Sequence, residues 1–172
     1  MTQSQSEEQE RINVLLASVR SVLLATVHQD GSPLASYTPF ALNDDRLGLW
    51  ILVSDLAGHA QNLARSKQCS ALVIRDEQDS PQVYVRERLQ YEMHAEECPR
   101  DGNAWELGVS ALRERHGGLV DTLRSLADFR LFQLHPESGR YIVGFGQAFE
   151  LSRGSLFMID HHLQGPTGPQ KD

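Results

Sequence analysis

Basic residues are too few and too scattered to form a continuous run: 16 Lys and Arg stand against 23 Asp and Glu, leaving a formal net charge of −7. A nucleic-acid surface needs clustered cations to displace counterions from phosphates, so no nucleic acid is expected as a partner. Cysteine is scarce too. Cys69 and Cys98 stand far apart and outside any CxxC arrangement, which excludes a disulfide framework and a thiolate zinc site and leaves reduced, buried thiols as the expectation. No apolar run approaches the ~20 residues of a membrane span. The opening MTQSQSEEQER is acidic and polar, where an export leader is basic and then apolar. The expected location is therefore the cytoplasm, with no membrane span. HExxH, GxSxG and Walker motifs are missing, which removes the common hydrolase and phosphoryl-transfer readings. Gly144-Phe145-Gly146 lacks the third glycine of a dinucleotide loop and reads instead as a bulge or a close backbone approach.

What is present is an ordinary globular composition, 40% hydrophobic and 23% charged over 172 residues, long enough for one domain spanning residues 1–172 with a core of its own. Ile12, Leu15, Leu16 and Val19 recur at i, i+3, i+4, i+7, predicting an amphipathic helix over 6–19, with Glu7, Glu8 and Glu10 near its start, where the helix dipole favours them. Residues 21–28 and 34–42 read as strands about an Asp30-Gly31 hairpin signal. A second turn at Asn43-Asp44-Asp45 leads into LGLWILV over 47–53, an apolar run expected of a strand covered on both faces. Residues 57–65 read as a short helix with Leu56, Ala60, Leu63 and Ala64 inward, and 71–74 as strand. Residues 82–95 read as one long strand with a bulge near Glu87. Helices follow over 101–116 and 119–126. The last strands are expected over 129–134 and 140–151, joined by a Pro-Glu-Ser-Gly turn at 136–139. Residues 164–172, with Pro166, Gly168 and Pro169, read as a mobile tail. Arg86, Glu87 and Arg88 are expected on a solvated strand face, and Arg113, Glu114 and Arg115 on a solvated helix face. Consecutive hairpins with peripheral helices make the fold class mainly β (α+β), an antiparallel barrel.

The order RSVLLATVHQDGSPLASYTPFAL over 20–42, followed by LWILVSDLAGHAQNLARSKQCSALVI over 49–74, resembles the opening of pyridoxamine 5′-phosphate oxidase-like, FMN-binding split barrels. Within that superfamily, SDLAGHAQNL at 54–63, ADFRLFQLHPESGRYIVGFGQAF at 127–149 and Asp160-His161-His162-Leu163 are similar to haem-utilisation proteins of the HugZ/HutZ kind. The resemblance spans roughly residues 10–163. It implies a six-stranded split β-barrel and a homodimer with two equivalent sites between its subunits.

It also implies two alternative cofactors, haem or FMN. For FMN, the residues matching the flavin site are Tyr37, Thr38 and Pro39 along the cofactor, with Ser54, His59 and Asn62 around its phosphate. Ser54 precedes a helix, whose N-terminus favours anions, although serine there also serves simply as a cap. His59 stands where flavin-binding relatives carry Lys or Arg, and a neutral imidazole is the poorer phosphate partner. For haem, the axial candidates are His161 and His162, with Thr26 and Asp128 as the polar support that orients a ligand imidazole. Relatives carry a further histidine in a Gly-His step where this chain has Gly165-Pro166, so the ligand role would pass to His161 or His162. The sequence leaves three functions open: haem binding with oxidative haem degradation, a flavin-dependent oxidoreductase, and a haem or flavin binder without turnover. It assigns no catalytic residue.

Overall fold

The computed structural model describes residues 3–43, 45–144 and 146–163. The expected tail, Pro166 within it, Asp44 and Phe145 lie outside the described residues. Helix α1 (Gln3–Ser18) precedes β1 (Ser21–Val27), β2 (Pro33–Pro39), the two-residue β3 (Ala41–Leu42) and β4 (Leu49–Ser54). Then come α2 (Gly58–Ser66), β5 (Gln68–Ile74), β6 (Arg88–Cys98), α3 (Asn103–His116), α4 (Leu119–Ser125), β7 (Phe129–Gly144), β8 (Gln147–Leu151) and β9 (Ile159–Leu163). The sheet is antiparallel in the order β2-β1-β5-β6-β7-β4-β3, with β8 and β9 continuing from β7.

β2 and β3 are neighbours in the chain, parted by the buried Phe40, yet they form the two open edges of this path. The barrel is therefore split, not closed, as the fold class expected. Six strands carry it, β1, β2 and β4 to β7; β3, β8 and β9 bring the described total to nine.

Alternation along β4 explains why its apolar run is continuous. Leu49, Ile51 and Val53 enter the barrel core with Val22, Leu24, Tyr91 and Phe132. Trp50 points the other way, into a second cluster with Trp105, Val109, Leu112 and Leu131 beneath α3 and α4. Gly108 permits that contact: a Cβ there would lie 2.7 Å from Leu131 Cδ2 and 2.8 Å from Trp50 Cε3. α1 inserts Ile12, Leu15 and Leu16 into the barrel core, all fully buried. At roughly 1.5–3 kcal/mol for each aliphatic side chain buried, these three anchor the helix. Its last carbonyls need donors, and the Arg115 guanidinium donates to Leu16 O at 2.7 Å and Ala17 O at 3.3 Å, and to Val19 O just past the helix at 2.7 Å. Arg115 is thus a cap on another helix and not part of a solvated face.

Four other sequence expectations are corrected. The turn expected at 136–139 is absent: β7 runs through it, and the shift between Glu92 and Met93 in its pairing with β6 leaves Glu137 as an extra residue. The chain instead reverses after Gly144, with Gly146 at φ 67°. The strand expected over 82–95 starts only at Arg88, after a 3-10 turn at Val83–Val85. Leu56 is 91% exposed, not inward. Glu87 is buried, not solvated: its carboxylate accepts from Arg75 Nε at 2.7 Å and from the Tyr141 hydroxyl, with Arg11 Nε 3.6 Å away. A buried carboxylate needs such partners. No helix among the described residues is long and apolar enough to cross a membrane.

Candidate functional site

β4 ends at Ser54, where the chain turns toward α2, with Ala57 N donating to Ser54 O at 2.9 Å. Leu56 N donates to Ser54 Oγ at 3.1 Å, and the hydroxyl donates onward to Asp128 Oδ2 at 2.6 Å. Asp55 N donates to Asp128 O at 2.8 Å. Ser54 does not cap α2; the cap position is Ala57, whose side chain makes no capping bond. The nearby cation Arg130 is engaged by Asp55 Oδ1 at 3.1 Å and by Glu97 Oε1 at 2.7 Å.

Along α2, His59 and Asn62 share one face by their i, i+3 spacing, and both are buried. Asn62 Nδ2 donates to Thr26 Oγ1 at 3.0 Å. Thr26 is the inward-facing end of β1, so this bond ties the helix to the strand. Burial pushes the His59 imidazole below its ordinary pKa, which keeps it neutral at pH 7. Gly58 allows the helix to approach the β1–β2 hairpin, since a Cβ there would lie 3.1 Å from Leu34 Cδ2 and 3.3 Å from His28 Cε1.

Tyr37, Thr38 and Pro39 alternate across β2. Tyr37 is 69% exposed on the outer face, whereas Thr38 is buried. Strand register carries the outer face from β2 to β9, from Tyr37 through Leu23, Leu72, Gln90, Arg140 and Glu150 to His161. An open groove of about 560 Å³ lies along it, with the small residues Ala25, Ala35 and Ser70 among its lining. Leu23, opposite Tyr37, and Val27, opposite Pro33, are half-exposed, so the β1–β2 end is apolar, and the β7–β8 end carries an Arg140–Glu150 ion pair at 2.8 Å.

His161 and His162 are both exposed on β9, the last strand of the described sheet. Successive strand residues face opposite ways. His161 pairs with Glu150 and lies on the groove face. His162 pairs with Phe149 on the other face, their ring centroids 4.9 Å apart.

The residues singled out in the sequence thus gather differently from either candidate set. Ser54 joins Asp128, and Asn62 joins Thr26, each bond linking one flavin candidate to one haem candidate. The β9 histidines are not brought to them. From Asp128 to Tyr141, which pairs with Phe149, the strand path at roughly 3.3 Å per residue is on the order of 40 Å. The groove itself escaped the sequence reading. Its signal was the small residues at outward positions, Ala25 and Ala35, which face one another across β1 and β2.

The family model for pyridoxamine 5′-phosphate oxidase matches residues 9–143. A Vibrio cholerae protein named haem oxygenase HutZ is 38% identical over 146 residues, covering 85% of this chain and 82% of its own. A crystal structure of HutZ from Vibrio cholerae, described as a haem storage protein, aligns with a TM-score of 0.75 at 34% identity, covering 80% of this chain and 97% of that one. Campylobacter jejuni ChuZ aligns with a TM-score of 0.82 at 27% identity, covering 100% of this chain and 68% of that one.

Proposed function

The chain belongs to the pyridoxamine 5′-phosphate oxidase family, and on that premise we propose that it is a haem-utilisation protein of the HutZ kind, a cytoplasmic homodimer binding haem where its subunits meet. The observation that carries this reading is the carboxylate at Ser54. A flavin phosphate seated among residues 54–62 would meet Asp128, whose Oδ2 lies 2.6 Å from Ser54 Oγ, beside a His59 that burial keeps neutral. Two like unit charges 4 Å apart cost about 4 kcal/mol at an effective dielectric of 20. Arg130, the cation that reaches this turn through Asp55, is already paired with Asp55 and Glu97.

Haem makes no such demand. The donor set fits it: an exposed imidazole for iron, a carboxylate to orient that imidazole through its N–H, and an apolar outer face at Leu23, Val27 and Leu72 for the porphyrin. Bound haem would supply an iron centre able to bind oxygen. The chain's part is to ligate the iron, hold the ligand's orientation and exclude water. His161, on the groove face, is the ligand in this reading, and Asp128 and Thr26 support it from the other subunit, because one chain holds the two groups at opposite ends of β7.

FMN is the second reading, favoured by one observation: Tyr37 offers an exposed ring on the same face. Titration of the purified protein with hemin and, separately, with FMN tests the proposal. A Soret band saturating near one haem per protomer, lost in His161→Ala and kept in His28→Ala, is the expected result. A yellow protein that retains FMN and gives no Soret shift with hemin would overturn it. Sedimentation at matched concentrations reads the dimer.

A further inference from the structure

We propose that Ser54 is a positioning residue that aims the Asp128 carboxylate at the haem ligand. The proposal rests on the haem reading above. The Ser54 hydroxyl is directed from both sides. Its oxygen accepts from Leu56 N at 3.1 Å, which turns the hydroxyl proton outward, and Asp128 Oδ2 receives it at 2.6 Å. That distance lies within the range of a charge-assisted O–H···O⁻ bond, about 2.5–2.7 Å. The turn at 54–57 is closed by Ala57 N on Ser54 O and uses the Ser54 hydroxyl only as an acceptor, from Leu56 N, so the hydroxyl's donation to a residue 74 positions away serves Asp128.

The backbone around Asp128 is pinned independently. Asp55 N holds Asp128 O at 2.8 Å. The Arg100 guanidinium, stacked 4.6 Å from the Trp105 ring centroid, donates to Arg124 O at 2.8 Å and Phe129 O at 2.7 Å, bracketing Asp128 on both sides. With the main chain fixed, the freedom left to Asp128 is its two side-chain torsions, and the Ser54 bond sets them. Oδ2 is thereby committed, and Oδ1, which takes no hydrogen bond among the described residues, is left to accept from an imidazole N–H. Groups that orient a metal's ligands in this way are typically worth 10–100-fold in metal affinity.

The test uses the full chain titrated with hemin, comparing Ser54→Ala, Ser54→Thr, Asp128→Asn and the Ser54→Ala/Asp128→Asn double variant. Each is read by hemin affinity, by the iron–histidine stretching band of the ferrous complex, and by melting temperature. Ser54→Ala is expected to weaken hemin binding about tenfold and to move the iron–histidine band, and Ser54→Thr to restore both. The double variant is expected to bind as Asp128→Asn alone does, because Ser54 acts through that carboxylate. If Asp128→Asn itself binds hemin normally with an unmoved band, the haem role of Asp128 falls. If Asp128→Asn weakens binding while Ser54→Ala changes only the melting temperature, or if the two losses add in the double variant, the role of Ser54 is overturned.

Discussion

The Asn62 side-chain amide donates to the Thr26 hydroxyl at 3.0 Å with both residues buried, and together with the Arg65 guanidinium, which donates to Val27 O, this bond joins α2 to the end of β1. Thr26→Val keeps the shape and removes the acceptor, leaving the amide unsatisfied. A loss of about 1–3 kcal/mol is expected, measured as a lower urea midpoint at unchanged slope. An unchanged midpoint would mean that the amide has found another partner.

Glu87 is the hub of the pairing beneath α1, between Arg75, Arg11 and Tyr141. Removing one partner of a fully buried ion pair costs about 3–5 kcal/mol. Arg75 keeps 27% of its side chain exposed, so Glu87→Ala is expected to cost less, about 2 kcal/mol. Glu87→Gln, which can still accept from Tyr141, should cost less again. Denaturant unfolding of the two variants, compared with wild type, ranks them.

Stability should fall away on both sides of neutral pH. The His59 pKa is depressed in the folded protein, so below its ordinary value the unfolded chain binds a proton that the native one resists, and stability drops as pH falls through about 6.5. Burial pushes the Cys69 thiol up to about 12 and, with nearby Glu96, the Cys98 thiol up to about 11. Their contribution is complete below the unfolded thiol value and is lost as pH rises through those figures. Melting temperature against pH reads both limbs, and His59→Gln should flatten the acid one. Both thiols should resist a thiol reagent at pH 8 until the protein is unfolded.

Gly108 sits where α3 crosses the sheet against Trp50 and Leu131. Alanine is the better helix former by about 1 kcal/mol, yet its methyl would meet a tryptophan ring and a leucine in the second core. Overpacking of this kind costs typically 1–3 kcal/mol, so Gly108→Ala is expected to be destabilising on balance, by thermal melt. A more stable variant would show that the α3 contact has slack.

Local signals carried much of the fold. Asp30-Gly31 forms its turn as read: Asp30 Oδ1 accepts from Ser32 N at 2.9 Å and Gly31 takes φ 86°. The i, i+3, i+4 pattern of Ile12, Leu15 and Leu16 is the buried face of α1. Illegible features were those decided by a partner strand. Pro136-Glu137-Ser138-Gly139 has turn chemistry, but pairing with β6 absorbs the extra residue as a bulge while Gly139 packs against Tyr91. β9 is short and polar, with little pattern of its own. At the site, the residue types were legible and their pairing was not, since nothing in sequence spacing links Ser54 to Asp128 or Thr26 to Asn62.

The pairing of β8 with β9 shifts between Glu150 and Leu151, so that Leu151 meets Ile159 while Glu150 meets His161, and Asp160 is left over. If that irregularity were ironed out from Leu151 onward, Asp160 would move opposite Glu150 and His161 opposite Phe149. His162 would then turn to the groove and His161 away from it. One surplus aspartate therefore selects which of two adjacent imidazoles lies on the groove face, and that selection is a matter of strand slippage.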